Sequence, residues 1–282
     1  MKTVLITGAN SGFGYGLSKS LLERGWRVIA GVRNLEPRRH LFADLDRTYS
    51  HHLELLELDL EKPSDWDRPL KLMSERRIEL DCLVNNAGFG VFGPLEDISE
   101  TQLRKQFEVN FFGLFLLTQK LLPSLRKTKG RIINLSSTVG FTGLPLGGPY
   151  VASKFAVEGM SECLALDLKK FGVQVCLVQP GAFKTSFGAN VAWAEKSNSD
   201  ESVYLDEVKA TQRFRSPNRK SPDPEIVIKT LVSLCEQRVV PLRKRVGKDA
   251  SLAYWSRKLL PQAIYHWLLS WVFSQAQKKR TG

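Results

Sequence analysis

Between residues 3 and 178, short runs of Val, Ile and Leu alternate with longer stretches in which apolar positions recur every three or four residues. Such short apolar runs are typical of buried strands, and the longer spacing is typical of helices. The alternation predicts an α/β fold, a doubly wound parallel sheet with helices on both faces and right-handed crossovers. We expect strands at residues 3–7, 26–32, 53–58, 81–84, 131–135 and 173–178, and a last strand at 239–246.

Six predicted helices complete this alternation. Ser99 and Gln102 have the spacing of a capping box, which opens a long helix that ends at Leu122 and Pro123. Pro63 lies near the start of another helix, over residues 63–77, where its missing N–H group is tolerated. The remaining helices are predicted between residues 14 and 24, at 35–47, from 150 to a closing segment at 169–172, and at 225–234.

Length and composition are those of an ordinary globular protein. The 282 residues are 43% hydrophobic and 25% charged, and open α/β folds of this size commonly form one domain. We therefore expect a single domain over residues 1–282. Within it, residues 1–182 form the α/β core, 183–222 an irregular segment that mixes aromatic and charged side chains, and 248–282 a basic, amphipathic C-terminal helical extension.

The cysteines and the N-terminus predict a cytoplasmic protein. The first strand begins almost at residue 1, so no signal peptide is expected. The cysteines are widely spaced and form no CxxC pair and no Cys/His cluster, which predicts reduced core residues and neither a disulfide framework nor a metal site. They are Cys82, Cys163, Cys176 and Cys235.

Positive charge is concentrated at the C-terminus. Residues 236–282 contain ten basic and two acidic residues, a net charge of +8 out of +12 for the whole chain. A helix predicted to begin at Pro261 has about 15 residues, and at a rise of about 1.5 Å each it is too short to cross a hydrocarbon core of about 30 Å. One face of this helix is apolar: Ile264, Trp267, Leu268, Trp271 and Val272.

This apolar face has two interpretations. It packs over a pocket of the core or against a second subunit, or it lies on an anionic membrane beside Lys278, Lys279 and Arg280. The second interpretation predicts a protein that is peripheral to a membrane. Nucleic acid is a third explanation of the charge, but no binding motif accompanies it, so we expect no nucleic-acid partner.

A glycine-rich turn follows the first strand and precedes the first helix. Gly8, Gly12 and Gly14 allow a tight turn and a close approach of the backbone to a ligand. A strand, a glycine turn and a helix N-terminus in this order form an arrangement that binds a diphosphate. Because the spacing is G-x-x-x-G-x-G and not G-x-G-x-x-G, an ordinary loop is the alternative.

The second strand ends at Val32 and is followed by Arg33. In many nucleotide-binding units an acidic residue at this place accepts a hydrogen bond from the ribose 2′-hydroxyl of NAD(H). No carboxylate is available here, and a guanidinium is well matched to a 2′-phosphate. We therefore predict NADP(H) as the cofactor; NAD(H), with Arg33 simply solvated, is the alternative.

Tyr150 and Lys154 are four residues apart on a predicted helix, so their side chains leave the same face. A free phenol has a pKa of about 10, and a nearby ammonium favours the phenolate. The pair therefore predicts a tyrosine that gives or takes a proton near neutral pH. For this pattern by itself, a surface Tyr and Lys on an ordinary helix is the alternative.

Several short motifs occur together in one order along residues 2 to about 187. They are Thr7-Gly8-x-x-x-Gly12-x-Gly14, Asp59, Asn85-Asn86-Ala87-Gly88, Asn110, Ser137, Tyr150-x-x-x-Lys154 and Pro180-Gly181-x-x-x-Thr185. In this order and spacing they resemble the short-chain dehydrogenase/reductase family. Gly90-x-x-Gly93-Pro94-Leu95 and Gly143-Leu144-Pro145 resemble its branch of 17-beta-hydroxysteroid and retinol dehydrogenases.

The resemblance implies a Rossmann-type fold and an NAD(P)-dependent oxidoreductase that interconverts a secondary alcohol and a ketone. Tyr150 is implied to be the general acid/base, Lys154 to lower its pKa and bind the nicotinamide ribose, and Ser137 to hydrogen-bond the substrate oxygen. Asn110 is implied to hold the helix geometry and a water of the proton relay. Ser136 competes for the serine role, and the thirteen-residue spacing to Tyr150 favours Ser137.

The resemblance also implies the cofactor contacts. The glycine turn would hold the diphosphate, Ser11 and Arg33 would lie near a 2′-phosphate, and Asp59 would meet the adenine amino group. No metal is needed. The full set of implied cofactor contacts is Gly8, Ser11, Gly12, Phe13, Gly14, Arg33, Asp59, Leu60, Asn86, Ala87, Gly88, Tyr150, Lys154, Pro180, Gly181 and Thr185.

The implied substrate is bulky and apolar, of a steroid, retinoid or acyl-lipid type, and residues 183–222 would form a lid over it. A homodimer or homotetramer is implied through the long helices that hold residues 111–117 and 150–168. A different class of function remains open at this point. The same fold could serve as a catalytically idle nucleotide-binding sensor or as a membrane-associated scaffold.

Overall fold

A computed structural model of the chain describes residues 1–188, 191–214 and 222–278. Within those residues, seven strands form one parallel sheet and two short strands form a second. The strands are β1 (Thr3–Thr7), β2 (Arg27–Val32), β3 (Leu53–Glu57), β4 (Cys82–Asn85), β5 (Val91–Phe92), β6 (Arg131–Leu135), β7 (Gln174–Pro180), β8 (Ala192–Trp193) and β9 (Arg243–Val246).

Helices connect these strands and extend beyond the last one. Short 3₁₀ segments lie at several of their ends, and one π-helical turn, Glu108–Phe112, interrupts the long helical stretch after β5. The helices are α1 (Gly12–Leu22), α2 (Ala43–Tyr49), α3 (Arg68–Arg76), α4 (Glu100–Phe107), α5 (Gly113–Thr128), α6 (Gly148–Leu168), α7 (Leu205–Phe214), α8 (Glu225–Glu236), α9 (Lys248–Leu259) and α10 (Gln262–Lys278).

The main sheet has the strand order β3-β2-β1-β4-β6-β7-β9. The chain starts in the middle with β1, builds outward to β3, and then returns to the other side of β1 with β4. Ile6 of β1 pairs with Ala30 on one side and with Val84 on the other. This is the doubly wound parallel topology, so the predicted fold class is confirmed.

Successive strand residues face opposite sides of the sheet and pack against different helices. Val4 and Ile6 belong to one buried cluster with Leu17 of α1. Leu5 belongs to a second cluster with Leu121 of α5. Helices therefore cover both faces of the sheet, which explains why the strands are almost entirely apolar.

The helix predicted to end at Leu122 and Pro123 continues to Thr128 as α5. Proline inside a helix removes one hydrogen bond and costs about 3 kcal/mol. Leu121 and Leu125, on either side of Pro123, are fully buried, and burying each contributes about 1.5–3 kcal/mol. Packing therefore offsets the local cost. The capping box at Ser99 and Gln102 is present as predicted.

Three other predicted elements differ in their boundaries. The helix predicted at 63–77 begins as a separate 3₁₀ turn, Pro63–Asp65, and α3 starts only at Arg68. The last strand is shorter than residues 239–246, because Pro241 has no N–H group for the ladder and β9 begins only at Arg243. The helix predicted at 35–47 begins as a 3₁₀ segment, Glu36–Phe42, and continues as α2. The irregular segment at 183–222 contains β8 and α7, neither of which the sequence pattern predicted.

One cysteine lies outside the core. Cys82, Cys176 and Cys235 are buried, and the Sγ atoms of Cys82 and Cys235 lie 3.8 Å apart. Cys163 is exposed, because it lies on the side of α6 that faces away from the sheet. The prediction of four core cysteines is therefore wrong for Cys163.

The C-terminal helix packs on a different side from the one its sequence pattern suggested. Among the side chains of α10 that the structure describes, Tyr265 is buried, whereas Ile264, Trp267, Trp271 and Val272 are about half exposed or more. The interpretation that this apolar face packs against the core of the same chain is thus wrong for these four residues. Lys279 and Arg280 lie outside the described residues. No helix in the described part of the chain is long and apolar enough to span a membrane.

Candidate active site

The predicted site residues gather at the carboxyl edge of the main sheet. β1 and β4 lie side by side there, and the chain leaves β1 toward β2 but leaves β4 toward β6. In open α/β sheets, this reversal of direction opens a crevice in which ligands bind. The turn after β1 and the segment after β4 form its two walls.

The glycine turn is folded tightly against the segment that follows β4. Gly8 has φ +63°, and a Cβ added to it would lie 2.9 Å from Cα of Ala87. A Cβ at Gly14 would overlap the Gly8 carbonyl oxygen. The Asn86 amide Nδ2 donates to the Thr7 and Gly8 carbonyls at 2.9 and 3.0 Å. The backbone therefore leaves a shallow cradle here that larger side chains would fill.

This cradle fits a diphosphate. It lies at the N-terminus of α1, whose first turn contains no acidic residue and whose Ser11 side chain makes no capping bond. Backbone N–H groups and a positive helix end at such a place favour an anion. Gly12 has φ +51°, and Thr185 faces it, with its Cβ 3.5 Å from the position of an added Cβ.

Beside the cradle, two arginines lie close to the end of β2. The Arg33 guanidinium is half exposed and lies 3.7 Å from a carboxylate oxygen of Glu61. Arg38 donates to the Arg33 backbone carbonyl at 3.0 Å. Glu57 accepts from the backbone N–H groups of Asn34 and Leu35. The nearby carboxylate of Glu57 is thus engaged with the backbone.

Asp59 and Leu60 are buried at the end of β3. Asp59 Oδ1 accepts from the Glu61 backbone N–H at 3.1 Å. The Leu60 carbonyl accepts from the Trp66 indole at 3.2 Å. Both residues lie on the same edge of the sheet as the glycine turn, because β3, β2 and β1 run parallel.

Helix α6 carries Tyr150 and Lys154 one turn apart, with 8% and 5% of their surfaces exposed. The Lys154 ammonium donates to the Leu135 carbonyl at 2.7 Å and lies 6.0 Å from the centre of the Tyr150 ring. Burial lowers the pKa of Lys154 to about 8, although the carboxylate of Glu158 opposes this shift. The lysine therefore remains mostly charged at neutral pH but changes its charge within the working range of an enzyme.

Asn110 lies in the π-helical turn between α4 and α5 and is fully buried. Its Oδ1 accepts from the Phe89 N–H, and its Nδ2 donates to the Phe89 carbonyl and to the Ser153 hydroxyl. A Cβ added to Gly88 would lie 3.2 Å from Asn110 Oδ1 and 3.7 Å from Lys154 Nζ. The structure thus brings Asn110, Gly88 and Lys154 together.

Ser136 and Ser137 differ in accessibility. Ser136 is buried beside Gly140, and its hydroxyl finds no hydrogen-bond partner among the described residues. Ser137 is partly exposed, and its hydroxyl accepts from the Val139 N–H at 3.3 Å. α6 packs against the turn that Ser137 begins. Of the two candidates, Ser137 is the one open to a ligand.

Pro180 ends β7, and Gly181 and Thr185 follow it on the far side of the crevice. Thr138 donates to the Pro180 carbonyl at 3.2 Å, which joins this segment to the turn after β6. Phe183 makes an edge contact with Phe13 of the glycine turn, with ring centres 6.2 Å apart. The segment therefore closes around the same crevice.

Two aromatic rings lie beside Tyr150, and neither was predicted to be a site residue. The Phe92 ring lies 5.6 Å from the Tyr150 ring and the Phe187 ring 5.3 Å from it, centre to centre. Trp193 contacts Phe92 from the second, two-stranded sheet, in which β5 pairs with β8. Their only sequence signal is an enrichment in aromatic residues. Together they give the surroundings of Tyr150 an apolar character.

Asn85, the first residue of the Asn85-Asn86-Ala87-Gly88 motif, does not face the crevice. It is buried, and its Nδ2 donates to Thr118 Oγ1 at 3.0 Å and to Asn134 Oδ1 at 2.8 Å. Asn134 in turn donates to Ser161 Oγ at 2.8 Å. This buried amide ladder joins β4 and β6 to α5 and α6, because polar groups inside the core need partners.

The segment over the crevice is attached to the core by side-chain bonds. Asp97 accepts from the Ser202 hydroxyl at 2.6 Å and is 3.5 Å from the Ser197 hydroxyl. Gln102 donates to the Trp193 carbonyl and accepts from the Glu195 N–H.

Within the described ranges, no group of three His, Cys, Asp or Glu side chains could hold a metal ion.

The fold and this edge define a dinucleotide-binding enzyme of the doubly wound class. A sequence profile of the short chain dehydrogenase family matches residues 2–196. The chain therefore belongs to the short-chain dehydrogenase/reductase family and is an NAD(P)-dependent oxidoreductase.

Two curated relatives cover most of the chain. A 3-ketodihydrosphingosine reductase of Bacteroides thetaiotaomicron is 32% identical, over 94% of this chain and 96% of its own. Retinol dehydrogenase 8 of Homo sapiens is 32% identical, over 87% of this chain and 81% of its own. Both names refer to lipid-like substrates.

Solved structures agree with this membership. A short-chain dehydrogenase from Streptomyces avermitilis superposes with a TM-score of 0.82 and 29% identity, covering 98% of each chain. An alcohol dehydrogenase from Thermococcus sibiricus, complexed with 5-hydroxy-NADP, superposes with a TM-score of 0.68 and 26% identity, covering 87% of this chain and 96% of the other. A nicotinamide cofactor is thus the cofactor of this protein.

Proposed function

We propose that the protein interconverts a secondary alcohol and a ketone on a bulky, apolar, lipid-like substrate, with NADP(H) as the cofactor. One observation carries the proposal. Tyr150 lies one turn from the buried Lys154 ammonium and beside two phenylalanine rings, at the edge that holds the glycine cradle. This arrangement combines a proton donor with an apolar wall.

Each catalytic side chain has a distinct task. When bound, the nicotinamide supplies or accepts the hydride. In the reducing direction the Tyr150 hydroxyl gives its proton to the substrate oxygen, and in the oxidising direction the phenolate takes that proton back. Lys154 favours the phenolate by its charge. Ser137 donates a hydrogen bond to the substrate oxygen, which stabilises the charge that develops there.

Asn110 acts on the geometry of this group. Its amide bonds to Phe89 and Ser153 hold the π-helical turn against α6, and π-helical turns are frequent at functional sites. Asn110 Oδ1 lies beside Gly88, on the same side as the Lys154 ammonium. A water placed between Asn110 and Lys154 would continue the proton path to solvent.

The preference for NADP(H) rests on the arginines beside the cradle. Arg33 is half exposed at the end of β2, and its partner Glu61 is 3.7 Å away. A pair at that distance on the surface contributes little, so Arg33 can exchange Glu61 for a 2′-phosphate. Ser11 lies at the start of α1 on the same side. We propose the dinucleotide contacts of the remaining crevice residues as the sequence analysis gives them.

The substrate class rests on the aromatic wall and on the relatives. Phe92, Phe187 and Trp193 line the approach to Tyr150. The names of the two relatives, a 3-ketodihydrosphingosine reductase and a retinol dehydrogenase, support a lipid-like substrate. In this proposal, residues 183–222 form the lid over the substrate.

The proposed assembly is a homodimer or homotetramer in the cytoplasm. Phe112, Phe115, Phe155 and Leu166 expose large apolar side chains on the helical layer formed by α5 and α6 and the turn between α4 and α5. A second copy that covered them would remove this surface from water. For the C-terminal helices the proposed contact is peripheral, with a membrane surface.

The decisive experiment is a panel of steroid, retinoid and long-chain ketones assayed with NADPH by absorbance. Once a substrate is identified, Tyr150→Phe should lower kcat by about 10³-fold, which lies within the range of rate contributions from general acid–base catalysis. NADPH binding should persist in this variant. Tyr49→Phe, far from the crevice, is the matched control and should keep full activity. Unchanged turnover in Tyr150→Phe would refute the catalytic assignment.

No turnover with any member of the panel, despite tight NADPH binding, would instead favour an idle nucleotide-binding sensor or scaffold.

The cofactor preference has its own test. Arg33→Ala should weaken NADPH binding about tenfold, the scale of one charge-assisted hydrogen bond, and leave NADH binding unchanged. Arg47→Ala, which removes an exposed arginine of α2, is the control. Equal losses for both cofactors would contradict the proposed role of Arg33.

A further inference from the structure

Helix α9 presents an apolar stripe to solvent. Leu252, Trp255 and Leu259 follow one another at intervals of three and four residues, which places them on one face. Leu252 and Leu259 are 70% and 72% exposed, and Trp255 is 47% exposed. Ala250, on the other side of the helix, is fully buried. The helix is therefore packed by one side and leaves a continuous apolar stripe uncovered on the other.

Helix α10 repeats the same spacing. Ile264, Trp267 and Trp271 are separated by three and four residues and are 50%, 65% and 50% exposed. Tyr265 faces the protein and is buried, and its hydroxyl shares a hydrogen bond with the Thr142 hydroxyl. The apolar stripe of α10 is thus not a part of the core. We call these six residues of α9 and α10 the C-terminal stripe.

Basic side chains accompany the C-terminal stripe. The Lys258 ammonium lies 5.5 Å from the centre of the Trp255 ring, and Lys248 continues the same face one turn before Leu252. Asp249 is the single acidic residue in the sequence 248–278, and it accepts a hydrogen bond from the Ala182 N–H at 2.7 Å. The surface around the C-terminal stripe is therefore positively charged.

This combination fits a bilayer better than a second copy of the chain. Tryptophan next to lysine is characteristic of helices that lie in the interface of a membrane, whereas lysine is depleted in protein interfaces. Three of the chain's six tryptophans belong to the stripe. α10, with 17 residues, extends for about 26 Å, so it would lie on the bilayer and not cross it.

The same two helices hold the loops beside the active site. Tyr254 of α9 makes an edge contact with Phe141, with ring centres 5.7 Å apart, and Tyr265 of α10 bonds to Thr142. These partners follow Ser137 by a few residues. Asp249 binds the backbone of Ala182, next to Gly181. A membrane or protein that binds α9 and α10 therefore lies close to the segments on both sides of the crevice.

We infer that the C-terminal stripe docks in the headgroup region of an anionic phospholipid bilayer and brings the mouth of the crevice to it. Leu252, Leu259, Ile264 and the three tryptophans enter the interface, and Lys248 and Lys258 meet the lipid phosphates. A lipid-like ketone then passes from the bilayer into the site without crossing water. The docking specifies the peripheral membrane contact proposed above, and the last step rests in addition on the proposed activity.

Co-sedimentation of the full-length protein with vesicles tests the docking. Protein should pellet with vesicles of phosphatidylcholine and phosphatidylserine, much less with phosphatidylcholine alone, and less at about 0.5 M salt, where charges are screened. The double variant Trp267→Gln, Trp271→Gln should bind the anionic vesicles about tenfold more weakly, because interfacial binding scales with buried apolar area. Leu95→Gln with Val239→Gln, which replaces two apolar side chains elsewhere that are more exposed than these tryptophans, is the matched control.

The docking is overturned if the wild-type protein stays in the supernatant with anionic vesicles, or if the tryptophan variant pellets as well as the control. It is also overturned if the tryptophan variant changes only the molar mass in light scattering, since the stripe would then join copies of the chain. Quenching of tryptophan fluorescence by brominated lipids gives an independent readout, which the tryptophan variant should reduce.

The entry route has a separate test. For a ketone embedded in anionic vesicles, the tryptophan variant should raise KM about tenfold, in proportion to the lost partitioning. For a short ketone dissolved in water, its kcat and KM should match those of the control. An unchanged KM for the embedded ketone would refute the route. Absence of activity with every ketone would refute the proposed function, and the vesicle result would still stand.

Discussion

The edge of the sheet and the segments that cover it are held in different ways. At the edge, the glycine turn touches the Ala87 backbone, and Asn85 and Asn134 bind each other inside the core. The segment proposed as the lid is attached through side-chain bonds, such as the buried bond from Ser202 to Asp97. The edge is therefore held by the backbone and by buried amides, and the lid by a few side-chain contacts.

This difference corresponds to two demands on such an enzyme. A cofactor and a proton donor must be held within a fraction of an ångström, because catalysis depends on geometry. In the proposed function a bulky substrate must enter and leave, so the proposed lid needs bonds that open at low cost. The contrast predicts that substitutions in the amide ladder lower stability most, and that substitutions in the lid change substrate binding more than stability.

The largest effect is expected from Asn134→Ala. This change removes the acceptor for Asn85 and the donor to Ser161, and both remaining groups are buried. Leaving buried polar groups unsatisfied costs about 1–3 kcal/mol each, so the free energy of unfolding should fall by about 3 kcal/mol in urea titrations. Asn198→Ala, which loses an exposed bond from Gln212, should change it by less than about 0.5 kcal/mol. Equal effects in both variants would contradict the contrast.

A smaller effect on stability is expected from Asp97→Asn. The Ser202 hydroxyl then donates to a neutral amide oxygen in place of a carboxylate, which weakens the bond by about 1 kcal/mol. If this bond keeps the lid closed, KM for the substrate should rise roughly fivefold while the unfolding midpoint hardly moves. Initial rates and thermal unfolding measure the two quantities.

Glu100→Gln is the control for the lid, since its carboxylate pairs with Arg104 on the exposed side of α4. The control should leave KM and stability unchanged. A loss of stability in Asp97→Asn as large as that in Asn134→Ala would show that the lid is a part of the core, and the contrast would fail.

The smallest expected effect is a shift in a pH profile, and it concerns Glu158 of α6, in the edge region. Glu158 accepts from Gln179 and from Arg243 of β9, and its charge raises the pKa of Lys154 against the dominant effect of burial. Glu158→Gln removes that charge. The Lys154 ammonium should then lose its proton at a lower pH than about 8, and the alkaline limb of kcat/KM should move to lower pH.

The sign follows from the charge of the lysine. The protonated form is the positive one, so the loss of a neighbouring negative charge disfavours it and lowers its pKa. Glu162→Gln is the matched control, because Glu162 also pairs with Arg243 but lies exposed on the next turn. An alkaline limb that moved equally in both variants would attribute the shift to Arg243 and contradict the role of Glu158.

Much of the site could be predicted because its signals are local. Tyr150 and Lys154 share a face in any helix, and the glycine turn follows β1 in any fold that contains this strand. Parallel strands bring their carboxyl ends to one edge, so residues after β1, β4, β6 and β7 meet there whatever the loops do. The predicted site residues came together for this reason.

The unpredicted parts depend on contacts between distant residues. Asn85 pairs with Asn134, 49 residues away, and Phe187 reaches Tyr150 through a segment without periodicity. On α10 the apolar and polar positions allowed more than one orientation. In the orientation that α10 adopts, Tyr265 bonds to Thr142, which is 123 residues away in the chain.

The sequence by itself determined the fold class, the order of strands and helices, and which side chains can share a turn, since periodicity and covalent spacing act over a few residues. Only the tertiary structure decided which amides face the core, which rings surround Tyr150 and which side of the C-terminal helices stays in contact with solvent. Those outcomes depend on the packing of elements far apart in the chain, and a local pattern is compatible with several such packings.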